Sequence, residues 1–166
     1  YIIMILVTGS GSLLGREISQ LLIKKKNKVL SSYYKSYPRK LGNKKLSYLV
    51  KINLEKKINL KYKISTLVHC ASIVPGDGLS DKKTFTKNIK IFKNLLKVCK
   101  KNYCKKIILI STTSVYGKFS GIIGDTSKTS PMDGYSKSKL EMEKILVNYS
   151  KKNKCSYFIL RIPVLL

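Results

Sequence analysis

The 166-residue chain has no tryptophan, one alanine (Ala71), one histidine (His69) and three arginines (Arg16, Arg39, Arg161). Its four cysteines, Cys70, Cys99, Cys104 and Cys155, include no Cys-x-x-Cys pair. With a single histidine beside them they offer no ligand set at zinc spacing, so no metal is expected. The thiols read as reduced, partly buried side chains of a cytoplasmic protein. No apolar run approaches the ~20 residues a membrane span needs, so no membrane partner is expected. Tyr1 to Val7 is apolar but too short for a signal peptide and lacks a basic start. Met4 reads as a natural start, which would make Tyr1 to Ile3 extraneous.

Carboxylates are scarce as well. Eight Asp and Glu stand against 34 Lys and Arg, a formal net charge of +26. Such a charge raises the question of a nucleic-acid partner. The shortage of arginine argues against it, because the planar guanidinium fork is the better phosphate grip. Abundant Lys, Ile, Asn and Tyr with one Ala is the skew of an AT-rich coding sequence, and the lysines fall on helix faces that read as exposed. Nucleic-acid binding is therefore the minor reading. The charge still draws anionic metabolites such as nucleotides.

What the chain does have is one domain's length and 43% hydrophobic residues, enough for a sizeable core. Its organising stretch is Val7-Thr8-Gly9-Ser10-Gly11-Ser12-Leu13-Leu14-Gly15. It follows an apolar run, Ile2 to Val7, and leads into a helical pattern of Leu14, Ile18, Leu21 and Leu22. Strand, glycine turn and helix form the context of a dinucleotide-binding turn. Gly9 permits the turn, Gly15 lets the helix pack close, and the helix N-terminus faces a pyrophosphate. A third glycine is displaced: Ser12 stands where one is expected, with Gly11 beside it. A Cβ at Ser12 would crowd the pyrophosphate unless Gly11 takes over that role.

Further strands are expected at Val29 to Tyr34, Leu46 to Asn53, Ser65 to Ala71, Lys105 to Ser111 and Cys155 to Ile162. The run Ile107-Ile108-Leu109-Ile110 is apolar throughout, as in a parallel strand buried on both faces. Phe85, Ile89, Phe92, Leu96 and Cys99 recur at helical spacing, and Gly134 to Lys151 reads as a last helix. Leu54 to Tyr62 is a short link or helix. Strands alternate with helices, which predicts an α/β fold: a doubly wound (Rossmann) parallel sheet with helices on both faces.

Five segments carry a family resemblance. Thr8-Gly9 with Gly15 resembles TGxxGxxG; Thr66-Leu67-Val68-His69-Cys70-Ala71-Ser72 resembles the VIHxAA strand; Ser111 to Gly117 resembles SSxxVYG; Tyr135-Ser136-Lys137-Ser138-Lys139 fits YxxxK. Leu160-Arg161-Ile162-Pro163 resembles a later LRxxN/P strand. In this order they resemble the extended short-chain dehydrogenases/reductases, in the nucleotide-sugar epimerase, dehydratase and reductase group. The resemblance implies that Thr112, Tyr135 and Lys139 are catalytic. It places NAD(P) against Gly9, Gly11, Ser12, Leu13, Leu14, Gly15, Tyr33, Lys35, Asn53, Leu54, Cys70, Ala71, Ser72, Asn88, Tyr135, Lys139 and Pro163, with Asn88 also bracing the active site. It implies a nucleotide-sugar or other small-molecule substrate and a homodimer through the helices of the Rossmann domain.

The chemistry fits the spacing. Tyr135 and Lys139 lie four apart and share a helix face. A tyrosine working near neutral pH needs its pKa of about 10 lowered, and a cation at ~4 Å supplies about the ~4 kcal/mol that takes. Lys139 is expected to do this, with Thr112 holding the substrate oxygen. His69 admits two readings, general base or buried strand-end residue, and the resemblance favours the second. The dehydratase branch is argued down because Thr113 and Ser114 stand where it carries Asp-Glu. No carboxylate sits near Tyr33 to hold a ribose 2′-OH, while Lys35 and Arg39 are close, so NADP is expected over NAD. Family members run to about twice this length, and the end Pro163-Val164-Leu165-Leu166 is apolar, so the chain is expected to be a fragment lacking a C-terminal substrate domain. The alternatives are a non-catalytic nucleotide-binding regulator of the same fold, or a basic nucleic-acid-binding protein.

Overall fold

The computed structural model describes residues 3–38, 41–118, 121–124 and 126–163. Arg39 and the Val164 to Leu166 run lie outside the described residues. The strands are β1 (Ile3–Thr8), β2 (Val29–Tyr33), β3 (Ser47–Lys51), β4 (Lys63–His69), β5 (Lys106–Thr112) and β6 (Ser156–Ile162). They form one sheet in the order β3-β2-β1-β4-β5-β6, and every pairing is parallel. The order reverses between β1 and β4, which opens a crevice beyond their carboxyl ends where ligands of such sheets bind. Helices are α1 (Leu13–Lys24), α2 (Asp81–Asn102) and α3 (Gly134–Asn153), with a 3₁₀ turn at Thr113–Tyr116. The expected elements are all present, with ends shifted by one or two residues. The stretch from Leu54 to Tyr62 is a link without a helix.

Two apolar layers sandwich the sheet. One packs Leu6, Leu67, Ile107 and Leu109 beneath Phe92 and Leu95 of α2 and Met142 and Leu146 of α3. The other packs Val7, Val29 and Val68 beneath Ile23 of α1, with Leu41 from the loop after β2. The α1 stripe differs from the expected one. Gly15, Ser19 and Ile23 are buried, while Leu21 points out at 57% exposure. The reason is the close approach of α1 to the sheet, which only small residues at the contact allow. On that face β5 and β6 have no helix above them among the described residues, and Phe158 and Leu160 of β6 are 52% and 45% exposed.

The helices are closed by their own sequence. Ser12, Ser80 and Asp133 are N-caps that accept from Gly15, Lys83 and Ser136 amides. Tyr103 ends α2 in the left-handed region (φ 54°). Its N–H donates to Lys100 O at 3.2 Å, and the Cys104 N–H reaches back to Cys99 O at 3.0 Å, a Schellman closure.

Candidate active site and cofactor crevice

The glycine turn connects β1 to α1 and is packed by the chain itself. Gly9 has φ +72°, and a Cβ there would lie 2.7 Å from the Ala71 nitrogen, so it permits both the turn and the approach of the β4 end. A Cβ at Gly15 would overlap the Gly9 carbonyl oxygen. Ser12, the departure from the glycine pattern, has a local job. Its Oγ donates to Gly9 O at 2.8 Å and accepts from the Gly15 N–H at 3.2 Å. Arg16 is the next amide to bond back, to Ser12 O at 3.0 Å. The amides of Leu13 and Leu14 are thus left at the open, positive end of α1. At Gly11 a Cβ would overlap the Ser36 carbonyl oxygen, so the loop after β2 that lies over the turn itself requires the glycine.

Along the crevice, Tyr33 closes β2 and its ring meets Tyr37 edge-on at 5.1 Å; Lys35 is exposed. Asn53 donates to the Tyr34 hydroxyl at 3.3 Å and caps the following turn. The Leu54 side chain is in the core at 8% exposure, and its carbonyl accepts from Asn94 of α2 at 3.0 Å. Cys70, Ala71 and Ser72 line the β4 end as half-buried residues, and Pro163 is exposed past β6. Asn88 is 1% exposed. Its amide is spent on Ile73 N–H (2.8 Å), Ile73 O (2.9 Å) and the Ser138 hydroxyl (3.2 Å). It braces the crevice wall and does not line it. His69 is fully buried and stacks on Phe92 with centroids 5.4 Å apart. It shares a 2.7 Å hydrogen bond with Thr8 through Nδ1, and burial pushes its pKa down to about 3. That is the strand-end reading; a neutral, enclosed imidazole is no general base at neutral pH.

Thr112, Tyr135 and Lys139 come together where β5 ends and α3 begins. Thr112 Oγ1 accepts the Ser114 N–H and donates to the Ser114 hydroxyl, both at 3.1 Å, on the side of the site where Tyr135 lies. Lys139 is 2% exposed; its Nζ donates to Ile110 O at 2.8 Å and sits 5.6 Å from the Tyr135 ring centroid. One expectation changes here. Burial, followed by Asp133, raises the Tyr135 phenol above its ordinary value, and the Thr112 hydroxyl offsets this only in part. Lys139 does not pull it down, because burial pushes Lys139 itself down to about 8 and its charge is directed at a carbonyl. A nicotinamide dinucleotide fits this set. The helix end suits a pyrophosphate, and a buried ammonium bonded to the Ile110 carbonyl has donors left for ribose hydroxyls.

Two features escaped the sequence reading. Asp133 is the N-cap that sets Tyr135 at the first turn of α3; the signal was an Asp three residues before Ser136. Glu143 and Arg161 form a largely buried ion pair, Nη2 to Oε2 at 2.6 Å. Its only trace in sequence is Glu143 four residues after Lys139.

The family model for NAD dependent epimerases/dehydratases matches residues 5–166. The uncharacterized UDP-glucose epimerase YtcB of Bacillus subtilis (strain 168) is 27% identical over 174 aligned positions, covering 95% of this chain and 55% of the relative. The UDP-glucuronic acid 4-epimerase of Bacillus cereus, solved in complex with NAD, superposes with a TM-score of 0.84 at 27% identity, covering 97% of this chain and 56% of the other. The UDP-Glc/GlcNAc 4-epimerase of Campylobacter jejuni shares the fold at 22% identity and a TM-score of 0.84, covering 95% and 52%. The chain spans about half the length of the relatives it matches. Among the described residues no helix is long and apolar enough to cross a membrane, and no cluster of His, Cys, Asp and Glu could hold a metal ion. The chain belongs to the NAD dependent epimerase/dehydratase family.

Proposed function

We propose that the protein is an NAD(P)-dependent epimerase or oxidoreductase acting on a hydroxyl of a nucleotide sugar, with Tyr135 as proton carrier, Thr112 as substrate-oxygen anchor and Lys139 as the cation that holds the site together. The observation that carries this reading is the buried Lys139 one helical turn after Tyr135, its Nζ 5.6 Å from that ring and bonded to the carbonyl of Ile110, two residues before Thr112. When bound, the nicotinamide dinucleotide supplies the hydride acceptor. Tyr135 takes the hydroxyl proton as general base and returns it as general acid. Thr112 orients the oxygen. Lys139, held by Ile110 O, has donors left for the cofactor's ribose. Burial, with Asp133 beside it, raises the Tyr135 phenol, so the free site rests with Tyr135 protonated.

Relatives described as UDP-glucose and UDP-glucuronic acid epimerases make UDP-hexoses the first substrates to assay. The cofactor preference is a separate proposal. Residues 31–38 carry no carboxylate, which favours NADP, whereas the Bacillus cereus structure holds NAD. The test is a titration with each dinucleotide followed by NMR of UDP-glucose and UDP-glucuronic acid incubated with protein and cofactor. Loss of the starting anomeric signal and growth of a 4-epimer support the reading. Tight dinucleotide binding with no change in any UDP-hexose would favour the non-catalytic regulator.

A further inference from the structure

A buried polar network lies directly behind the reacting residues. Glu143, 5% exposed, uses both carboxylate oxygens. Oε1 accepts from the Ser111 hydroxyl at 2.5 Å and from Arg161 Nε at 3.1 Å, and Oε2 accepts from Arg161 Nη2 at 2.6 Å. Arg161 Nη1 donates to the Tyr116 hydroxyl at 2.8 Å, and its guanidinium carbon lies 4.9 Å from that ring's centroid. Tyr116 then donates to Gly124 O at 3.2 Å. One ion pair therefore ties α3, β5, β6 and the turn after β5.

Its placement relative to the site is specific. Lys139 bonds the Ile110 carbonyl, and one turn later on α3 Glu143 bonds Ser111, the next residue of β5. The residue after that is Thr112. Two consecutive contacts thus fix α3 against β5 where Tyr135 must meet Thr112. Stability alone does not call for such a pair, since a buried ion pair is commonly no better than apolar packing, while removal of one partner is costly.

Building on the proposed role of Thr112, Tyr135 and Lys139, we propose that Glu143 and Arg161 are positioning residues of this site. They hold α3 in register with β5. The variants are Glu143→Gln, Arg161→Met and Arg161→Lys, with Ser111→Ala as a milder change that keeps both charges. Turnover of UDP-glucose with NAD, resolved into kcat and KM, is one readout. The NMR shifts of Thr112 and Tyr135 without cofactor are the other. Glu143→Gln and Arg161→Met should lower kcat about 10–100-fold with KM little changed, the scale of a slight misplacement. Both should also move the Thr112 and Tyr135 shifts. Arg161→Lys should recover part of kcat, and Ser111→Ala should lower it least. Unmoved Thr112 and Tyr135 shifts in folded Glu143→Gln and Arg161→Met would overturn the proposal, as would an unchanged kcat in all four variants. If Glu143→Gln does not fold, Arg161→Lys and Ser111→Ala decide on kcat. If the wild type shows no turnover, the site assignment fails, and the Thr112 and Tyr135 shifts still decide the positioning role.

Discussion

Lys139 shows most sharply what a single residue costs and does here. Burial holds its ammonium at a pKa of about 8 against 10.5 for a free lysine. The unfolded chain binds a proton in that window that the folded chain lacks, so this residue's contribution to stability rises as pH climbs from about 8 to 10.5. Below 8 the full penalty applies, on the order of 3 kcal/mol. Lys139→Met is therefore expected to raise the melting temperature of the cofactor-free protein near pH 7 while weakening dinucleotide binding. Calorimetry and a fluorescence titration check the two halves. His69 works at the other end of the pH scale. With its pKa pushed down to about 3 from 6.5, the unfolded imidazole takes up a proton that the folded one refuses. Stability should fall as pH drops from 6.5 toward 3, and His69→Gln should flatten that slope in urea titrations. Tyr135→Phe keeps the ring and removes the proton carrier. In a full-length form of the protein, turnover should fall by about 10²–10⁴-fold, with dinucleotide affinity little changed.

The glycine turn shows which elements can be read from sequence and which cannot. β1, the turn and α1 were legible because Gly9 and Gly15 each answer a local demand, a left-handed φ and a close helix approach. The YxxxK spacing likewise put Tyr135 and Lys139 on one face of α3, since that needs only helix geometry. The α1 stripe was misread at Leu21 because small residues, Gly15 and Ser19, make the contact and carry no hydrophobic signal. Gly11 was assigned to the cofactor alone because its neighbour, Ser36, lies 25 residues on in a loop with no periodicity. The Glu143–Arg161 pair joins α3 to the sheet edge, a tertiary fact with only a faint local trace. These contacts predict different outcomes for two neighbours. Gly11→Ala should displace the loop after β2 and weaken dinucleotide binding by disturbing that side of the crevice, visible as amide shifts at residues 34–37. Ser12→Ala should cost about 1 kcal/mol through the lost N-cap, measured by urea denaturation.

For the molecule as a whole, the fold was legible and the proposed chemistry rests on three side chains. Alternating strands and helices gave the doubly wound sheet, and its reversal between β1 and β4 puts the glycine turn and the β5–α3 junction on one edge. The net charge of +26 stands apart from that geometry. Exposed lysines cover the outer faces of α2 and α3, so the proposed homodimer through these helices should strengthen as salt screens them, which light scattering over a salt series would show. The central claim is that Thr112, Tyr135 and Lys139 move a hydride and a proton at a sugar hydroxyl. The most direct measurement follows UDP-glucose carrying deuterium at C4 through incubation with the protein and NAD. The account predicts a C4 epimer that retains the deuterium, with its formation lost in Tyr135→Phe. An epimer that has exchanged its label with solvent, or unchanged UDP-glucose despite bound dinucleotide, would contradict it.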